Sequence, residues 1–298
     1  QAFPMSVVKV NNLSIKAKGK LLLDDINFEM KPGEVFSLLG YNGAGKSTLL
    51  DILTGGLKPD QGSFSILDKS FRKAKNEIGV VYEDFNFFGY LKVKEIVSYL
   101  SIMKGHTTPD LQENIEALKL DKIWTRQFRF LSRGERKKIG ILAAIMHEPK
   151  LLILDEPTSE LDPFVRSVCW QVLLRKNRSI LFSTHDWDEA KSYAHKVAFI
   201  FNGKLINVDT TEAFLSEKYL PFSKRISFYK RPDLKPIYDS YTYLEEYGQI
   251  HVYVNDDNPL IHDISRITDS YAVGPKSLKD VYLFLTQKSS QPKQYERS

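Results

Sequence analysis

The 298-residue sequence predicts an α/β fold built on a parallel sheet, followed by a small α+β domain. Three observations carry that reading. Short apolar runs at 35–39, 151–154 and 180–183 have the character of strands buried on both faces. Stretches of helical periodicity separate them. Composition then changes near residue 216. Ten of the 15 tyrosines but only two of the 16 glycines, Gly248 and Gly274, lie in 216–298, with Pro221, Pro232 and Pro236 at the crossing. The boundaries read this way are a first domain at 1–215, an accessory domain at 216–288 and a disordered tail at 289–298.

Taken in order, Val35–Leu39 is a buried strand, followed by a glycine loop and a helix at Lys46–Leu53 that Gly55-Gly56 stops. Residues 78–82 read as a second strand, and 92–103 and 111–118 as amphipathic helices. After the strand at 151–154, Asp162 caps a helix whose first position suits Pro163. The strand at 180–183 follows. In the second domain, 224–229 and 249–254 read as strands and 278–285 as a closing helix.

Composition excludes several classes. With 42% hydrophobic and 27% charged residues the chain is an ordinary globular one. Cys169 stands alone, which excludes an intramolecular disulfide, argues against a cysteine zinc site and fits a reducing compartment. The net charge of +5 is dispersed; its densest cluster, Arg133, Arg136, Lys137 and Lys138, is too short for a nucleic-acid arm. No apolar run approaches the ~18 residues of a membrane span, so a membrane role is expected to be peripheral. The opening Gln1-Ala2-Phe3-Pro4 lacks a charged and apolar leader, and Met5 reads as the natural first residue.

Gly40-Tyr-Asn-Gly-Ala-Gly45-Lys46-Ser47 matches the P-loop pattern between strand and helix. Glycines there let backbone N–H groups approach phosphate oxygens, and the helix N-terminus adds positive potential. Lys46 is expected to reach the β- and γ-phosphates and Ser47 to ligate Mg²⁺. The apolar run at 151–154 ends in Asp155 and Glu156, which suit metal binding through water and general-base chemistry. The bland alternative is that Asp-Glu-Pro only begins a surface turn. Ser132 and Glu135 have capping-box spacing ahead of a helix with Ile139, Leu142, Ala143 and Met146 on one face, which by itself signals only a good helix start.

The order and spacing of Lys46, Ser132, Asp155 and His185 resemble the ATP-binding cassette (ABC) family over about residues 6–215. The resemblance is to ATP-binding subunits that serve exporter-type membrane partners and carry a short C-terminal extension. It implies a P-loop NTPase cassette, with a RecA-like core, a β-subdomain and a helical subdomain. Gly40–Thr48 then corresponds to Walker A, so Asn42, Gly43, Ala44, Gly45, Lys46, Ser47 and Thr48 would hold ATP. Residues 151–156 correspond to Walker B and 131–135, with Ser132 and Gly134, to the signature loop. Ser159 to Asp162 corresponds to the D-loop, and His185 to the switch histidine. The implied catalytic residues are Glu156 and His185; the implied Mg²⁺ ligands are Ser47, Glu83 and Asp155.

The resemblance further implies a cytoplasmic ATPase, peripheral on the inner face of the cell membrane, that sandwiches two ATP molecules in a homodimer and drives a separate integral-membrane transporter subunit. Three departures stand out. No aromatic residue occurs between Pro4 and Asn27, where the family usually stacks adenine; Glu83 replaces the usual glutamine; Arg133 replaces a signature glycine. Cassettes that act on chromosomes insert long coiled coils between Walker A and the signature, and the 85 residues from Lys46 to Ser132 leave no room for one. Ribosome-binding cassettes come as two per chain, against one here, so no nucleic-acid partner is expected. A regulatory cassette that binds ATP without hydrolysing it is a further alternative, against which Glu156 and His185 argue. The aromatic run Phe85, Phe87, Phe88 and Tyr90 reads either as core or as the groove for the membrane subunit.

Overall fold

The computed structural model describes residues 6–105, 111–256 and 258–290. These form two compact units that divide between Val208 and Asp209. The readings of residues 1–5 as leaderless with Met5 as start lie outside the described residues, as does most of the tail.

In the first unit the elements are β1 (Val8–Ala17), β2 (Lys20–Met30), β3 (Val35–Leu39), α1 (Lys46–Leu53), β4 (Gln61–Ile66), α2 (Phe71–Ala74), β5 (Ile78–Val81), α3 (Val93–Lys104) and α4 (Gln112–Ala117). They continue with α5 (Arg133–Ile145), β6 (Leu151–Asp155), α6 (Pro163–Leu173), β7 (Ser179–Thr184), α7 (Trp187–Tyr193), β8 (Lys196–Phe201) and β9 (Lys204–Thr210). One sheet is three-stranded and antiparallel in the order β2-β1-β4; the other is six-stranded in the order β5-β6-β7-β3-β8-β9, parallel from β5 through β8. The core joins them. Val8, Leu13 and Ile26 of the first sheet pack in one cluster with Leu49 and Ile52 of α1 and with Phe36, Leu38 and Ile153 of the second.

The expected strands and helices of this unit all form, with ends displaced by a residue or so, as fraying termini produce. The strands β1, β2, β4, β8 and β9 were not placed by the sequence reading. Two of their turns carry a hairpin signal: Lys18-Gly19 and Asn202-Gly203 both adopt paired positive φ (50° and 78°; 47° and 77°). Such turns match the twist of the flanking strands and need glycine at their second position.

The parallel sheet sets the site. Leu39 pairs with Thr184 and Asp155 with Ser183, so β3, β6 and β7 end on the same edge. Whatever follows those three strands converges there.

The second unit has α8 (Thr211–Leu215), β10 (Lys224–Tyr229), α9 (Lys235–Tyr238), β11 (Thr242–Glu246), β12 (Gln249–Val254), α10 (Leu260–Ser265), β13 (Tyr271–Pro275) and α11 (Leu278–Ser290). From β10 to β13 this is a βαββαβ order with an antiparallel sheet β11-β12-β10-β13, the ferredoxin-like arrangement. Ile226, Phe228, Ile250 and Val252 face a core closed by Leu234 and Tyr238 of α9 and by Leu260 and Ile264 of α10. The alternate residues Arg225 and Tyr253 meet Asp280 of α11. Helix α8 packs against α11 and groups with this unit, ahead of the composition change at 216. Helix α11 runs to Ser290, two residues into the stretch read as a tail; Ser277 and Asp280 cap its first turn, and it buries Leu278, Val281 and Tyr282.

Candidate functional site

A cleft of about 710 Å³ opens at the edge where β3, β6 and β7 end. Asn42, Gly43, Gly45, Lys46, Ser47, Thr48, Glu83, Glu156 and His185 line it, as do Leu22, Ser159 and Glu160.

The loop between β3 and α1 has Gly43 and Gly45 in the left-handed region, at φ 79° and 111°. At Gly45 a Cβ would stand 2.8 Å from Leu23 Cδ2, so this position excludes a side chain on two grounds. Gly45 gives α1 no side-chain cap, and no acidic residue occupies the first turn. The first amides of α1 are therefore left for an anion. Lys46 is only 5% exposed and donates to Gly40 O at 2.7 Å and Tyr41 O at 3.2 Å, with Glu156 Oε1 at 3.7 Å. Burial lowers its pKa, while Glu156 and Asp155 hold it up. Ala44 is buried and does not line the cleft.

Ser47 Oγ donates to Asp155 Oδ1 at 3.2 Å, and Ser183 Oγ donates to the same oxygen. Next to it Glu156 is 7% exposed. Its carboxylate faces His185 Nδ1 at 3.0 Å through both oxygens. Burial raises the Glu156 pKa; His185 and Lys46 pull it back. The arrangement is that of a shielded carboxylate with basic character, held between an ammonium and an imidazole.

Ser132, Gly134 and Asp162 do not line this cleft. Ser132 caps α5 in a complete capping box with Glu135, which Arg126 braces at 2.7 Å. A Cβ on Gly134 would come within 2.8 Å of Leu161 Cδ2, so the start of α5 lies close against the 159–161 loop. The Asp162 carboxylate accepts from the amides of Phe164 and Val165 and serves as the cap of α6. Arg133 pairs with Glu160 at 2.7 Å. Sequence reasoning missed Leu22, Ser159 and Glu160 as lining residues. Leu22 carries no local signal, since one leucine in an apolar strand looks the same whether it faces core or cleft.

The aromatic run divides. Phe85 packs edge-on against Phe128 at 6.0 Å and Phe87 against Tyr99 at 5.9 Å, both half-buried. Phe88 and Tyr90 are each 74% exposed, and Tyr99, Ile102 and Met103 of α3 are exposed as well.

Comparison with known proteins agrees with this geometry. Residues 23–159 match the family model described as ABC transporter. The uncharacterized ABC transporter ATP-binding protein YhcH of Bacillus subtilis is 29% identical over 70% of this chain and 71% of its own length. The probable multidrug ABC transporter ATP-binding protein YbhF of Escherichia coli is 32% identical over 70% of this chain, which spans only 38% of that protein. The Nod factor export ATP-binding protein I of Burkholderia thailandensis is 29% identical over 96% of this chain and all of its own length. Among solved structures, cbiO1 of Clostridium perfringens, part of the ABC transporter complex cbiONQ, superposes with a TM-score of 0.62 at 28% identity, over 72% of this chain and 92% of its own. The cassette MJ0796, in a dimeric post-hydrolysis state bound to ADP and Pi, does so at 0.61 and 24%, over 68% and 98%. Residues 23–159 therefore carry the ATP-binding cassette, an ATPase domain, of the ABC transporter family.

Proposed function

We propose that this chain hydrolyses ATP as one half of a homodimer and powers export through a separate integral-membrane partner, to which it binds at the inner face of the cell membrane. The observation that carries the hydrolytic part is the convergence on one cleft of Lys46, Glu156 and His185, from three separate strand ends. Lys46 and the free amides of α1 bind and orient the phosphates. Glu156 accepts a proton from the attacking water, and burial, by raising its pKa, makes it a stronger base than a free carboxylate. His185 fixes the rotation of that carboxylate. Ser47 and Asp155 present two hard oxygens side by side, a donor set that fits Mg²⁺, with Glu83 on the cleft wall as a third. Mg²⁺, when bound, supplies charge neutralisation at the β- and γ-phosphates. Ser132, Gly134 and Asp162 serve the ATP held by the second subunit, which accords with their place outside the cleft.

Support for dimer and export comes from the relatives: the neighbouring cassette solved as a dimer, and the export protein whose similarity extends through the second unit. No helix among the described residues is long and apolar enough to cross a membrane, and the crossing is assigned to the proposed partner. The exposed Phe88, Tyr90, Tyr99, Ile102 and Met103 supply apolar anchors for it. The test uses the full chain. Mg²⁺-dependent ATP hydrolysis is expected, with an ATP-dependent monomer-to-dimer shift in light scattering for Glu156→Gln. Absence of hydrolysis overturns the enzymatic reading, and detergent co-purification from the native cell without a membrane protein overturns the partner.

A further inference from the structure

The amine of Lys137, on the second turn of α5, reaches across to the loop that follows β6. Lys137 is only 8% exposed, and its Nζ donates to the carbonyl oxygen of Glu156 and, at 2.8 Å, to Ser159 Oγ. The same carbonyl accepts from Ser159 Oγ at 3.1 Å and from Ser159 N at 3.3 Å. Three donors thus converge on one main-chain oxygen. On its amide side, Glu156 N donates to Ser183 Oγ at 3.1 Å. Glu156 itself is in the left-handed region at φ 46°, which costs a non-glycine residue free energy and persists only where the surroundings hold it.

We propose that Lys137 is a positioning residue for the hydrolytic step: its ammonium pins the main chain of Glu156 and Ser159 and so aims the Glu156 carboxylate at His185 and Lys46. The inference rests on the reading of Glu156 as the hydrolytic base. Without Lys137 the turn keeps only its local donors. Glu156 is then free to relax toward ordinary φ, which swings its carboxylate away from the cleft. A displacement of about 1 Å at a reacting group costs on the order of 10²-fold in rate.

The electrostatics agree. Burial lowers the Lys137 pKa, and the surrounding carboxylates of Glu156, Glu83, Asp155 and Glu160 hold it up. Lys137 also ties the signature helix to the catalytic strand end by a direct bond, so a movement of α5 is felt at Glu156.

The test compares full-length Lys137→Met, Lys137→Gln and Lys137→Arg in steady-state ATP hydrolysis, alone and combined with Glu156→Gln. For Lys137→Met, kcat is expected to fall ~10- to 100-fold with KM for ATP within about threefold of wild type. Lys137→Arg, which keeps the cation, is expected to recover most of that loss. In the Glu156→Gln background, Lys137→Met should change the residual rate by less than about twofold, because the two act through one group. A Lys137→Met protein with wild-type kcat overturns the role, as does an equal fold-loss in both backgrounds. If Lys137→Met does not fold, Lys137→Gln is read instead: lower kcat at unchanged KM is expected, and wild-type kcat overturns the role. If Glu156→Gln alone keeps full turnover, it is the assignment of Glu156 that fails.

Discussion

Nδ1 of His185 sits 3.0 Å from both carboxylate oxygens of Glu156, across the edge shared by β6 and β7. This contact opposes burial, which raises the Glu156 pKa, and favours the ionised form that a base requires. Removing the imidazole should therefore move the acid limb of the kcat profile to higher pH. His185→Ala is expected to lower kcat ~10- to 100-fold at neutral pH, with partial recovery as pH rises. A profile parallel to wild type would show that His185 does not act on Glu156.

Glu156→Gln keeps the shape of the side chain and removes its basicity. Turnover should drop roughly 10²- to 10⁴-fold while ATP binding persists. Turnover and equilibrium binding of a fluorescent ATP analogue, measured on the same preparation, check both halves.

Leu22 supplies an apolar wall to the cleft where a stacking ring is absent. ATP and GTP are expected to bind within about tenfold of one another, since phosphate contacts dominate. Leu22→Tyr should strengthen ATP binding about fivefold or more, from stacking worth ~1–3 kcal/mol. Competition titrations decide it, and a hundredfold ATP preference in wild type would contradict it.

Glu83 lies on the cleft wall within the field of Lys46 and Lys137. A like-charge pair at 4 Å costs about 1–4 kcal/mol, so without a cation Glu83 would resist being drawn toward Asp155 and Glu156. Glu83→Gln should raise basal turnover and weaken its dependence on Mg²⁺. Titrating Mg²⁺ against hydrolysis in both proteins tests this, and coincident curves would remove Glu83 from the metal site.

Among the aromatic residues, Phe88→Ala should weaken binding of the membrane partner and leave basal ATP hydrolysis and thermal stability near wild type, because its ring is exposed. Phe85→Ala should instead lower stability by ~2–4 kcal/mol, because its ring contacts Phe128 and Gly140. Urea unfolding separates the two.

In the second unit Asp280 is 2% exposed and accepts from Arg225, Tyr253, and the amide and hydroxyl of Ser277. Asp280→Ala leaves the buried Tyr253 hydroxyl and the Ser277 cap without their acceptor, at a cost of ~2–4 kcal/mol, while the partly exposed Arg225 can turn to water. Loss of the unfolding transition of that unit in calorimetry, with P-loop nucleotide binding retained, is the expected result.

Contiguous sequence determined the P-loop, the acid pair at 155–156, the capping boxes and the parallel strands. Each depends on neighbours in the chain: a glycine's φ, a helix's first amides, a strand buried on both faces. The β-rich start was less legible. Its alternation is broken by positive-φ residues such as Asn12 and Asp25, and the Lys18-Gly19 turn was its one plain signal. Tertiary structure alone decided which of these pieces meet. Lys46, Glu156 and His185 come together because the register of β3, β6 and β7 brings three strand ends to one edge, and no local pattern encodes that register. The left-handed turn at Glu156 is the clearest case. Its carbonyl is held by Lys137, 19 residues earlier in the chain, through an ammonium whose cost of burial only that fold compensates.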